Sequence, residues 1–70
     1  MNKFEREAKA SKVMMMLHCN LQLRVSDVSS QLYINKDKAR RLLDWMVLQG
    51  YLKKKVIKYV GNASLNVYTR

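Results

Sequence analysis

Between Ser26 and Leu52 the apolar residues fall at Val28, Leu32, Ile34, Ala39, Leu42, Leu43, Met46 and Val47. That spacing fits a short helix, a tight turn and a longer helix that share one core face. Val28 and Leu32 lie four apart and face inward together. Ala39, Leu42, Leu43, Met46 and Val47 fill the i, i+3, i+4, i+7, i+8 positions of a helix predicted from Lys36 to about Gln49, while Asp37, Arg40, Arg41 and Asp44 project away from it. Ser26 is placed to cap the first helix, with Asp27 in its first turn. Tyr33, Ile34 and Asn35 make the turn, with Ile34 beneath it and Asn35 capping the second helix. Gly50 is the natural stop. Leu32, Ile34, Leu42, Leu43 and Met46 are the predicted core.

Before this stretch, the helix formers of EREAKASK predict a helix from about Phe4 to His18, with Phe4, Ala8, Ser11 and Met15 as its inward stripe. The run Val13 to Leu17 goes most of the way round that helix, so it is either enclosed by the fold or packed on another subunit. Leu21, Leu23 and Val25 alternate with Gln22 and Arg24, a short strand. Leu52 to Val60 and Leu65 to Thr69 are rich in Val, Ile and Tyr and flank Gly61, Asn62, Ala63 and Ser64, which predicts a hairpin over about 52–69. The order helix, strand, helix, helix, strand, turn, strand is an α+β chain with two layers, one domain over 1–70.

Seventy residues bury only about 60 to 65% of the surface that the unfolded chain exposes, so function should sit on an outer face. Fourteen Lys and Arg against five Asp and Glu give +9 at neutral pH, which favours polyanionic partners. Charge alone does not separate DNA, RNA, an anionic membrane and an acidic protein. The single Cys19 can form no internal disulfide, which points to a reducing interior. No apolar run is long enough for a membrane span and no cleavage pattern suggests a signal peptide, so the expected location is cytoplasmic and no membrane partner is expected.

Enzyme chemistry has little support. His18 and Cys19 are adjacent, about 100 degrees apart on a helix, which separates them as a catalytic pair. There is no glycine-rich phosphate loop, metal-ligand cluster or nucleophile elbow. Neither catalysis nor a cofactor or metal is expected. Trp45, Tyr51 and Tyr59 raise base stacking on single strands, but their positions beside the apolar stripe and the helix stop favour packing instead.

With these elements in order, the chain resembles the winged helix-turn-helix family of DNA-binding domains. Val28, Leu32, Ile34, Ala39 and Leu42 are similar to its helix-turn-helix apolar positions, LLDWMVLQGYL to the end of its recognition helix, and Tyr68 to the aromatic that closes its second wing strand. Tyr33 stands where the family often has glycine. The resemblance implies a small winged helix-turn-helix fold of three helices and a short antiparallel sheet, with a recognition helix at about 36–49 and a C-terminal wing.

The family's docking geometry would put that helix in the major groove of duplex DNA. Lys36 and Lys38 would then meet phosphate, and Arg40 or Arg41 would reach guanine. Lys53, Lys54, Lys55 and Lys58 would supply the wing, with Asn62 and Ser64 as uncharged donors at its tip; Arg6, Lys9, Lys12 and Arg24 are weaker candidates. The function implied is a sequence-specific duplex-DNA-binding transcriptional regulator, a repressor or promoter accessory factor. A homodimer through Met14, Met16 and Leu17 would display two such helices. The alternative is a non-enzymatic protein-interaction module or host-factor inhibitor that uses the same fold.

Overall fold

The computed structural model describes residues 2–58, 61 and 64–70. Three helices, α1 (Lys3–Cys19), α2 (Val25–Leu32) and α3 (Lys36–Leu48), accompany three strands, β1 (Leu23–Arg24), β2 (Lys53–Lys58) and β3 (Ser64–Thr69). The sheet is antiparallel in the order β1-β3-β2. This is a small α+β fold.

Each helix end has a sequence cause. Asn2 caps α1 by accepting from the Glu5 N–H at 2.8 Å, and Asn20 closes it with its backbone N–H and Nδ2 both donating to the Met16 carbonyl. At α2 the expected cap moves back two residues, from Ser26 to Arg24. Asp27 explains the shift, since its Oδ2 accepts from the Arg24 N–H at 3.0 Å and holds the chain entering the helix. Val25 thereby joins α2 rather than a strand, and β1 shrinks to Leu23–Arg24. Leu21 is 95% exposed.

The turn between α2 and α3 resolves the question raised by Tyr33. Its φ of 55 and ψ of 42 are left-handed, the conformation that favours glycine. Ser29, at the start of the last turn of α2, absorbs the consequences: its carbonyl accepts from the Ile34 N–H at 3.2 Å, and its hydroxyl donates to the Ile34 carbonyl at 2.6 Å. The tyrosine side chain meets no crowding because it projects into solvent, 94% exposed. Asn35 then caps α3, its Oδ1 accepting from the Lys38 N–H at 2.8 Å. Gly50 ends α3 with φ 84, as the Tyr51 and Gly50 N–H groups donate to the Met46 and Val47 carbonyls in a Schellman closure.

Ala10, Val13 and Leu17 of α1 join Leu23, Val28, Ala39, Leu42, Leu43, Met46, Leu52 and Tyr68 in one core. Leu32 and Ile34, expected inside, are half-buried at its edge. On α1 the expectation is reversed: Phe4, Ala8, Ser11 and Met15 face outward, with Phe4 82% and Met15 68% exposed. The line Arg6, Ala10, Val13, Leu17 has the same helical spacing, and the helix turns its more continuous Ala-Val-Leu side to α3 and α2. Among the described residues no helix is long and apolar enough to cross a membrane.

The register places Tyr68 between Leu23 and Lys54, and Val67 between Arg24 and Lys55. Successive side chains alternate faces, so Tyr68 points to the helices while Val67 points to the opposite face. Val67 is nonetheless fully buried. It sits on the central strand between two long cationic side chains, whose aliphatic stems can lie over it.

Candidate nucleic-acid interface

Opposite the buried residues Ala39, Leu42, Leu43 and Met46, α3 shows solvent its charges. Lys36, Lys38, Arg40 and Arg41 are all exposed. The two arginines are not free-standing: Arg40 Nη2 lies 3.1 Å from Asp37 Oδ1, and Arg41 Nε lies 3.3 Å from Asp37 Oδ2. Pairs this exposed contribute little to stability, but they orient both guanidinium groups around one carboxylate. The outermost line of α3, at i, i+4, i+7 and i+11, reads Asp37, Arg41, Asp44, Leu48. The basic groups therefore flank a ridge that also carries two acids, and Leu48 at its end is 81% exposed.

The β2–β3 hairpin is fixed to the C-terminal half of this helix. Tyr68 Oη donates to Asp44 Oδ1 at 2.8 Å, and Lys54 Nζ approaches the same oxygen at 3.7 Å. Burial, then the hydrogen bond donated to Asp44 and the negative charge of that carboxylate, push the Tyr68 phenol well above its ordinary range, against a smaller opposing effect of Arg40. The phenol stays protonated and the contact holds at neutral pH.

Lys54 is thereby a strut as much as a surface cation. Lys58 shares its side of β2 by alternation, whereas Lys53 and Lys55 occupy the other side. All four lysines are exposed, and Lys58 pairs with Ser64 at the far end of the described hairpin. Asn62, expected at the tip, and Tyr59 lie outside the described residues.

In comparison with known proteins, no family model, curated protein or solved structure matches this chain. The site is therefore read from its own geometry.

Of the weaker candidates, Arg6 has a defined place. Its guanidinium carbon lies 4.4 Å from the centre of the Trp45 ring, and Tyr51 meets that ring edge-on at 6.0 Å and 72°. Trp45 and Tyr51 are thus engaged in packing, as their positions in sequence suggested. A cleft of about 280 Å³ opens there, lined by Arg6, Lys38, Arg41, Leu42 and Trp45. Sequence alone gave Arg6 little weight because its partner, Trp45, is 39 residues away.

Met14, Met16 and Leu17, the residues expected at a subunit contact, lie within or against the core. Leu17 is buried in the core, and Met14 and Met16 are half-buried against it. The large apolar side chains that α1 leaves in solvent are Phe4 and Met15.

Proposed function

We propose that the chain is a winged helix-turn-helix domain that binds duplex DNA sequence-specifically and regulates transcription, as a repressor or promoter accessory factor, without changing the DNA chemically. One observation carries this reading. The cations of α3 and the side of the hairpin that carries Lys54 and Lys58 are braced together, because Tyr68 and Lys54 both contact Asp44 and tie hairpin to helix. A duplex needs such a surface, with a helix that enters the major groove and a neighbouring element that follows phosphate.

In this reading α3 is the recognition helix and β2–β3 the wing. Lys36 and Lys38 meet phosphate near the helix start, Arg40 or Arg41 exchanges Asp37 for guanine O6 and N7, and one side of the wing, carrying Lys58 and its cross-strand partner Ser64, follows the backbone, while Lys53 and Lys55 face the other side. Duplex binding measured across a salt series tests it. Affinity should fall log-linearly with salt by roughly 0.9 per phosphate neutralised, and Lys58→Gln should reduce that slope by about one unit. A folded chain that retains no duplex at low salt would overturn the reading.

The outward side of α1 favours a second reading. Phe4 and Met15 offer apolar surface on a helix that also carries Glu5 and Glu7, and a protein partner, including another copy of the chain, could use it while the basic surface stays open.

A further inference from the structure

The cleft between α1 and α3 is chemically unlike the ridge beside it. Three cationic side chains, Arg6, Lys38 and Arg41, line it with Leu42 and Trp45, and no carboxylate does. By contrast, the cleft at the start of α3, lined by Val25, Lys36, Asp37 and Arg40, contains an acid. The cleft between α1 and α2, about 420 Å³, holds Asp27 and no cation.

Arg6 is the residue that gives the site its character. Its guanidinium is held over Trp45, among the described residues it forms no ion pair, and its Nε is buried without a hydrogen-bond partner. The donors of a guanidinium lie in its own plane, so a group held over an indole can still direct the N–H groups at its outer edge to a ligand. That geometry suits the forked acceptance of two oxygens on one tetrahedral anion. Trp45 and Leu42 supply an apolar floor that lowers the local dielectric, where charge-assisted hydrogen bonds are stronger than in water.

We propose that this cleft is a phosphodiester site. Arg6, pre-positioned by Trp45, grips one backbone phosphate of the duplex beside the recognition helix, with Lys38 closing on its other oxygens, joined by Arg41, once released from Asp37, where Arg40 is the residue that reads guanine. The inference rests on the DNA-binding reading and extends it from α3 and the hairpin to α1. The duplex would then be held on both flanks of α3, by the wing on one side and by α1 on the other.

Trp45 is the chain's single tryptophan, so its fluorescence reports on the cleft directly. The full chain, Arg6→Gln, Lys38→Gln and the control Lys12→Gln, whose lysine the packing of α1 leaves exposed outside the cleft and so withdraws from the weaker candidates, are titrated with a duplex over a salt series. Far-ultraviolet circular dichroism checks folding. The expected result is a saturable change in Trp45 emission, with the salt slope lowered by about one unit in Arg6→Gln and in Lys38→Gln and unchanged in Lys12→Gln. Because Lys38 also meets phosphate from α3, Arg6→Lys, which keeps the charge but loses the planar fork, is titrated as well and should bind the duplex more weakly than wild type, which keeps the test decisive if Arg6→Gln does not fold. Wild-type affinity and slope in the folded cleft variants would overturn the phosphate site and leave DNA binding by α3 standing. Absence of any duplex binding by the wild type would overturn both.

Discussion

Tyr68 and Asp44, 24 residues apart, are joined by a 2.8 Å hydrogen bond that runs from the last strand to the middle of α3. The phenol ring is wholly buried, whereas Asp44 is about half exposed, with a side-chain exposure of 48%. The bond thus sits where the core meets solvent, and it sets the angle between helix and hairpin.

Removing that hydroxyl as Tyr68→Phe should cost about 1 to 2 kcal/mol, because water can reach Asp44 and partly replace the lost donor. A pH dependence should go with it. The folded state raises the phenol above its unfolded value of about 10, so its contribution is complete below pH 10 and is lost as pH rises beyond it, when the unfolded chain ionises first. Denaturant melts from pH 8 to 11 should show a steeper alkaline fall in the wild type than in Tyr68→Phe, a comparison that cancels the titrating lysines. Parallel profiles would show that the bond does not form as described.

Tyr33 should yield stability when replaced by glycine. A left-handed L-residue costs about 1 to 2 kcal/mol, and glycine returns about 0.5 to 1 kcal/mol of that through its freer unfolded chain. Tyr33→Gly should therefore raise the denaturant midpoint by the equivalent of about 0.5 kcal/mol with an unchanged m-value. Tyr33→Val should lower it, since a β-branched residue tolerates this conformation least.

The orientation of α1 separates two stripes of equal spacing. Leu17→Ala should cost about 2 to 4 kcal/mol by opening a cavity, while Met15→Ala should stay within about 0.5 kcal/mol, as expected of an exposed site. The opposite order would put the Phe4–Met15 stripe inside.

Asp37 holds Arg40 and Arg41 in the free protein, so it competes with any anion that they bind. Asp37→Asn should tighten duplex binding at low salt by about three- to tenfold, the effect of one unit charge at close range in water, about 1 kcal/mol. Its loss at the helix start should cost about 0.3 to 1 kcal/mol of stability. Weaker duplex binding by a folded Asp37→Asn would mean that the carboxylate itself contacts the partner.

The parts of the fold legible in sequence were those with local causes. Ala39, Leu42, Leu43 and Met46 repeat at helical spacing, Asn35 and Gly50 bound that helix by their own chemistry, and the β-rich runs around Gly61 announce a hairpin. What was misread depended on contacts distant in the chain. Phe4, Ala8, Ser11 and Met15 are as periodic as Arg6, Ala10, Val13 and Leu17, and only packing against α3 and α2 decides between them. The capping carboxylate of Asp27 outweighed the local signal of Ser26. At the candidate site, the charges of α3 and β2 could be read directly, but not the capture of both arginines by Asp37, the diversion of Lys54 to Asp44, or the stacking of Arg6 on Trp45.

The most direct measurement of the central claim is selection of bound sequences from a pool of random duplex DNA by the intact chain. The account predicts an enriched motif whose discrimination falls by about 1 to 3 kcal/mol when whichever of Arg40 and Arg41 reads guanine is replaced, in variants that remain folded. Retention of every duplex alike, lost uniformly as salt rises and without any enriched motif, would contradict sequence-specific recognition by α3.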